Sequence, residues 1–258
     1  MTDKIIIALD YSNRKDALKL VENLSGTISF YKVGLELYTS VGPEIVRELK
    51  AKGLRVFLDL KLFDIPNTVA KASGAAASLG VDIFNLHLLS GEEALIAAKR
   101  AAQEEAARKN WPAPKILGVT ILTSSNGAQW QELGLNCAVP ELVLRLTERA
   151  KEAGLDGVVA SAQDAAAIKE RFGNDFLVVS PGIRSCKEDN VGAPFMAPAG
   201  SMNRAPTNAD GSRWGGNDDQ KRTLSAKEAF SAGCDYIVVG RPVTRAPDPK
   251  KACLEVLT

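Results

Sequence analysis

The sequence predicts a single (β/α)₈ barrel of the α/β class, on three observations. Short apolar runs alternate with longer stretches of helical periodicity from one end of the chain to the other. Most of the apolar runs are continuous rather than alternating, as parallel strands covered on both faces require. The length of 258 residues is close to that of one such barrel. An open doubly wound sheet satisfies the same periodicity, but closure is the simplest arrangement for eight βα units.

The units follow one another in order. The run Ile5–Asp10 precedes a helical pattern over Lys15–Leu24, and Phe30–Val33 precedes one over Pro43–Ala51. Val56–Leu60 leads to Val69–Leu79, and Ile83–His87 to Glu92–Arg108. Ile116–Leu122 leads to Pro140–Ala153, and Gly157–Ala160 to Ala162–Arg171. Leu177–Ser180 is followed at a distance by Ala226–Ala232, and Tyr236–Gly240 by Pro249–Leu257. Gly53, Gly80, Gly154 and Gly233 stand where helices should stop, each a suitable C-terminal cap.

One stretch breaks this rhythm. Ser185–Asp219 is rich in Gly, Pro, Asn, Ser and Ala and has no sustained apolar period. It is too long for an ordinary βα loop. The chain therefore reads as one domain, residues 1–258, with an insertion at 185–217 after the seventh strand. Composition points to a mobile segment, position to a lid over the catalytic end, and the two are compatible.

Composition excludes several classes. A formal net charge of +1 leaves no basic excess for a nucleic-acid surface. Cys137, Cys186, Cys234 and Cys253 are far apart and form no C-x-x-C pair, so neither a zinc site nor a disulfide framework is expected. The run Ile5–Asp10 is too short for a membrane span or a signal segment, and the expected location is cytoplasmic. His87, the lone histidine, excludes a His-rich metal site and reads as a packed, hydrogen-bonded core residue. Gly-rich motifs for nucleoside triphosphates and dinucleotides are absent.

Chemistry in such barrels sits at the C-terminal ends of the strands. Here those ends carry Asp10, Lys32, Asp59 with Lys61 and Asp64, His87, Thr123 with Ser124, Pro181 to Arg184, and Gly240 with Arg241. Asp59 and Lys61 are two apart, so in extended chain they point the same way. An exposed ion cluster would contribute little, but the apolar strand behind this pair should bury it, with Lys32 as a second cation. Gly240 permits close backbone approach and Arg241 a bidentate grip, which together suit a phosphate after the last strand. Arg184 and Gln220 flank the same region in the chain.

Taken together these residues resemble the orotidine 5′-phosphate decarboxylases. The resemblance rests on Ile7-Ala8-Leu9-Asp10, Tyr31-Lys32-Val33-Gly34 and the long run from Phe57 through Asp59-Leu60-Lys61-Leu62-Phe63-Asp64-Ile65-Pro66-Asn67-Thr68. It continues through Leu122-Thr123-Ser124, Pro181-Gly182-Ile183-Arg184, Asp218 to Arg222 and Val239-Gly240-Arg241-Pro242. It implies removal of CO₂ from orotidine 5′-monophosphate to give uridine 5′-monophosphate, with no metal or organic cofactor, in a homodimer. By residue match, Lys32, Asp59, Lys61 and Asp64 form an alternating charge array. Lys61 would protonate C6, Asp59 would lie against the substrate carboxylate, and Asp64 and Ile65 would complete the partner's site. Asp10 and Lys32 would hold the ribose, and Thr123 the pyrimidine. Thr68 and Pro181 would also contact substrate. Arg184, Gln220, Gly240 and Arg241 would hold the phosphate. Two departures stand out: family members often have His at the position of Phe63, and the segment between Arg184 and Gln220 is longer than in bacterial members.

Two other readings fit parts of the pattern. A decarboxylase or aldolase of the same barrel superfamily, acting on a sugar phosphate, shares the D-x-K-x-x-D core but usually needs Mg²⁺. A non-catalytic barrel that senses a phosphorylated metabolite needs the phosphate end only. The Ile65-Pro66-Asn67-Thr68 continuation and Asp219-Gln220 favour the nucleotide enzyme over the first, and the intact Lys32, Asp59, Lys61 and Asp64 set argues against the second.

Overall fold

A computed structural model describes residues 2–125, 130, 132, 134, 137–184 and 224–256. The strands, in chain order, are β1 (Ile5–Ala8), β2 (Phe30–Gly34), β3 (Arg55–Leu62), β4 (Ile83–His87), β5 (Lys115–Val119), β6 (Gly157–Val159) and β7 (Leu177–Ser180). They continue with β8 (Ile183–Arg184), β9 (Leu224–Ser225) and β10 (Tyr236–Val239). Eight of them close a parallel barrel in the order β1-β10-β7-β6-β5-β4-β3-β2, while β8 and β9 pair as a separate two-stranded sheet. The barrel closes because β1 pairs with β10, Ile6 opposite Val238. The open sheet is thereby excluded.

All eight predicted strands are present, with shifts at the ends of six. The fifth stops at Val119 rather than Leu122. Its neighbour β6 ends at Val159, whose carbonyl accepts from both the N–H and the hydroxyl of Thr120, and the chain then turns, Ser125 N–H donating to Leu122 O at 2.9 Å. A helix over Leu35–Val41 was not predicted. It buries Leu37 alone and is too short to show a periodic stripe. The short helix Arg241–Thr244 escaped for the same reason. The residues predicted as an insertion, 185–217, lie outside the described residues, as does Gln220.

Strand parity divides the interior. Ile6, Ala8, Phe30, Phe57, Ile83, Leu117, Val179 and Val238 meet inside the barrel, and the alternate residues join the larger core under the helices. At the N-terminal end the Arg55 guanidinium lies 4.0 Å from the centre of the Phe30 ring and donates to the Tyr236 hydroxyl at 3.1 Å, closing the floor. Continuing the inward parity upward from Phe30, Phe57 and Ile83 reaches Lys32, Asp59 and Asn85. The same alternation that builds the apolar floor therefore delivers polar groups to the opposite mouth.

A repeated device ties the N-terminal end together. Helices end at Gly80, Gly154 and Gly233, all with positive φ, and two residues later comes Asp82, Asp156 or Asp235. Each Asp donates its own N–H to one residue of the preceding barrel strand, and its carboxylate accepts that residue's N–H in return. The partners are Val56 at 2.7 Å, Ile116 at 2.9 Å and Val178 at 2.7 Å. Each carboxylate also binds a lysine: Lys50, Lys115 and Lys169. Asp82→Ala strands the buried Val56 N–H and should cost about 2 kcal/mol, a fall in Tm of about 4–8 °C for a chain of this size. Asp82→Asn, which keeps an acceptor, should lose less. Thermal denaturation of the two variants checks this, and equal small losses would show that water replaces the carboxylate.

Candidate active site

The mouth of the barrel holds a row of alternating charges. Lys32 Nζ lies 3.0 Å from Asp10 Oδ1 and 3.4 Å from Asp59 Oδ2, and Lys61 Nζ lies 2.7 Å from Asp59 Oδ1. The inner members are buried, Lys32 being 8% and Asp59 9% exposed. An exposed ion cluster is thereby excluded. Gly34 leaves room for the Lys32 head group, since a Cβ there would stand 2.8 Å from its Nζ. At the outer end a Cβ on Gly240 would come within 3.7 Å of Asp10 Oδ2, so the end of β10 lies beside the row.

Burial and pairing oppose each other here, and pairing wins. Burial acts to discharge Lys32, but Asp59 and Asp10 outweigh it and hold the ammonium pKa above its ordinary value. Burial acts to protonate Asp59, but Lys32 and Lys61, aided by hydrogen bonds from Lys61 and Asn85, hold its pKa below the usual carboxylate range. The two buried members at the centre of the row are therefore held charged, Lys32 as an ammonium and Asp59 as a carboxylate.

Lys61 reaches Asp59 by a route other than the one the spacing suggests. Its φ is +51°, so the chain is not extended there, and the β3–β4 register shifts between Leu58 and Leu62. This irregularity in the ladder turns Lys61 toward its neighbour two residues back. Asn85, fully buried on β4, ties the two together. Its Nδ2 donates to Asp59 Oδ1 at 2.7 Å, and its Oδ1 accepts from the Lys61 N–H at 2.8 Å. Sequence reading missed Asn85. The signal was present: a carboxamide inside the apolar run Ile83-Phe84-Asn85-Leu86, on the inward parity.

The other predicted residues fall into three groups. Thr123 is buried and Pro181 half-buried, just beyond β5 and β7. Gly240 precedes the short helix that Arg241 begins, and Arg241 is exposed. Asp64, Ile65 and Thr68 are exposed on the loop and first helical turn after β3. Asp64 accepts from the Ile65 N–H at 2.7 Å and, among the described residues, joins no ion pair. The main chain of Arg184 is in β8, and its side chain lies outside the described residues.

His87 corrects an expectation. It is half-buried rather than a hydrogen-bonded core residue: its Nδ1 is buried and, among the described residues, has no hydrogen-bond partner, and its ring packs against Phe63 at 5.6 Å. Burial, then the nearby Lys61 charge, lowers its pKa.

The comparisons with known proteins fit this geometry. The family model described as "Orotidine 5′-phosphate decarboxylase / HUMPS family" matches residues 3–205 and 200–256. The chain is 44% identical over 254 residues to an orotidine 5′-phosphate decarboxylase of Geotalea daltonii, covering 98% of this chain and 94% of that one. It is 42% identical over 257 residues to that of Carboxydothermus hydrogenoformans, covering 100% and 95%. Among solved structures, orotidine 5′-phosphate decarboxylase from Lactobacillus acidophilus is similar with a TM-score of 0.76 and 32% identity, covering 99% of this chain and 97% of that one.

Proposed function

The chain belongs to the orotidine 5′-phosphate decarboxylase / HUMPS family, and from that membership we propose that it converts orotidine 5′-monophosphate to uridine 5′-monophosphate and CO₂ in pyrimidine biosynthesis. The enzyme is then a carbon–carbon lyase. The observation that carries the reading is the paired row of Asp10, Lys32, Asp59 and Lys61 at the barrel mouth.

The chemistry asks for such a row. The bond from C6 to the carboxylate breaks heterolytically, CO₂ leaves, and the electron pair stays on C6. That ring carbon delocalises charge poorly, so a cation set in place beforehand lowers the barrier. Lys61 supplies the charge and then the proton, its N–H bond breaking as the C6–H bond forms. Asp59 meets the substrate carboxylate as a like charge, and the two ammoniums beside it keep it ionised at neutral pH. Asp10 and Lys32 hold the ribose hydroxyls. Thr123, Thr68 and Pro181 line the substrate, and Gly240, Arg241, Arg184 and Gln220 take the phosphate. Phosphate binding remote from C6 offsets the cost of bringing the charges together.

No metal takes part in this reading. Asp59 Oδ1 already receives Lys61 and Asn85, and Lys32 faces Oδ2. Among the described residues, no group of three or more His, Cys, Asp or Glu side chains is arranged to hold a metal ion. A functional homodimer is also part of the proposal. Leu35, Phe63, Ile65, Leu89 and Leu122 are large exposed apolar residues in the segments that follow β2 to β5, a distribution that suits a self-complementary interface. Asp64 stands among them, and in this proposal its carboxylate serves the partner's site. The proposed location is cytoplasmic; among the described residues no helix is long and apolar enough to cross a membrane.

The test is decarboxylation of orotidine 5′-monophosphate in excess EDTA, followed at the pyrimidine absorbance. Full activity is expected. Activity lost with EDTA and restored by Mg²⁺ would point instead to the sugar-phosphate relatives. Tight nucleotide binding with no turnover would point to a sensor.

A further inference from the structure

We infer that Asn85 is a positioning residue for the proposed decarboxylation: its carboxamide orients the Asp59 carboxylate and holds the β3 irregularity that turns Lys61 into the site. The inference rests on the reading of the function above.

Three features of the site lead here. First, the inward neighbours of Asn85 below it are apolar, Ile83 on its own strand and Leu117 opposite it on β5. A fully buried carboxamide in that setting is costly unless both its ends are satisfied. Both are, and both partners belong to the charged row. Second, the Lys61 N–H lies where the ladder between β3 and β4 loses its register. Asn85 Oδ1 is its acceptor, and without it that N–H and the left-handed backbone at φ +51° lose their support. Third, Asp59 Oδ1 is shared between Asn85 Nδ2 and Lys61 Nζ, both at 2.7 Å. One carboxamide thus fixes the main chain of the proton donor and the side chain of the acid beside it.

The charged groups around Asn85 are few. Asp59 and Lys61 touch it from β3, and Lys32 from β2 and Asp10 beyond β1 reach it only through Asp59. His87 follows two residues later on β4, its pKa lowered by burial. Any new titration at position 85 is therefore felt first by Asp59.

Two variants test this against wild type, with kcat, KM and the Kd of uridine 5′-monophosphate measured across pH. Asn85→Ala removes both bonds, and kcat should fall about 10- to 100-fold, the range for hydrogen bonds to charged groups. Product Kd should move less than about threefold, because the groups proposed to hold ribose and phosphate remain. Asn85→Asp keeps the shape and the acceptor for the Lys61 N–H, but at neutral pH it sets a second carboxylate against Asp59. Two carboxylates sharing a site raise one pKa strongly. As pH falls, the new carboxyl takes a proton, regains a donor toward Asp59, and kcat should rise where the wild type does not.

A purely structural asparagine would lower Tm in both variants and leave the shape of the pH profile unchanged. The inference is overturned by a kcat for Asn85→Ala within twofold or so of wild type, or by an Asn85→Asp profile that superimposes on the wild-type one. If Asn85→Ala does not fold, the isosteric Asn85→Asp decides alone. A wild-type enzyme inactive in the same assay would sink the functional reading and not the geometry of Asn85.

Discussion

Replacing Lys61 with alanine should lower kcat on orotidine 5′-monophosphate by at least about 1,000-fold, while uridine 5′-monophosphate still binds. The size follows from electrostatics. A cation about 4 Å from a developing carbanion contributes roughly 4 kcal/mol at an effective dielectric near 20, which is about three powers of ten in rate. Loss of the proton donor adds to that, general acid catalysis typically contributing a further factor of about 100 or more. The fold should tolerate the change. Lys61 is partly exposed, its side chain ends the row, and Asp59 keeps both Lys32 at 3.4 Å and the Asn85 carboxamide at 2.7 Å. The groups proposed for ribose and phosphate are untouched, so product affinity should persist. Single-turnover absorbance measurements and a calorimetric titration with product separate the two effects. Turnover within about tenfold of wild type would remove Lys61 from the chemistry.

Mixing two inactive variants, Lys61→Ala and Asp64→Ala, should restore about one quarter of wild-type activity. In the proposed two-fold symmetric dimer each site would draw Lys61 from one chain and Asp64 from the other. Random exchange makes about half the dimers mixed, and each mixed dimer has one site with both residues intact. The single chain gives the physical reason to expect sharing. Asp59 is buried and doubly paired, whereas Asp64, five residues on, is exposed and, among the described residues, engages only the neighbouring Ile65 N–H. Ile65 and Phe63 beside it are 66% and 62% exposed, apolar surface of the kind an interface covers. Subunit exchange is verified with differently tagged chains. Proven exchange with no recovered activity would place Asp64 in its own site or outside the chemistry.

Much of the molecule is legible in its sequence. Ile83–His87 and Leu177–Ser180 match their predicted bounds, and so does the helix Glu92–Arg108. Asp10, Lys32, Asp59 and Lys61 were all expected at strand ends, and they meet there. The helix Leu35–Val41 was not legible, because seven residues with one buried side chain carry no readable period. The reciprocal bonds of Asp82, Asp156 and Asp235 were not legible either, since each acts on a strand 26, 40 or 57 positions earlier.

The chain by itself determined the βα alternation and the supply of charges to one end of the barrel. Both are local properties: apolar periodicity sets the elements, and parity along each strand sets which residues face inward. The path of Lys61 was decided by tertiary structure alone. Spacing implies that it points with Asp59 because the strand is extended, yet its φ is +51° and the two meet across a break in register. What holds that break is Asn85, 24 residues from Lys61 in sequence and on the adjacent strand. A residue's role as hydrogen-bond partner to a distant main-chain N–H exists only once the strands lie side by side, so no local pattern could specify it.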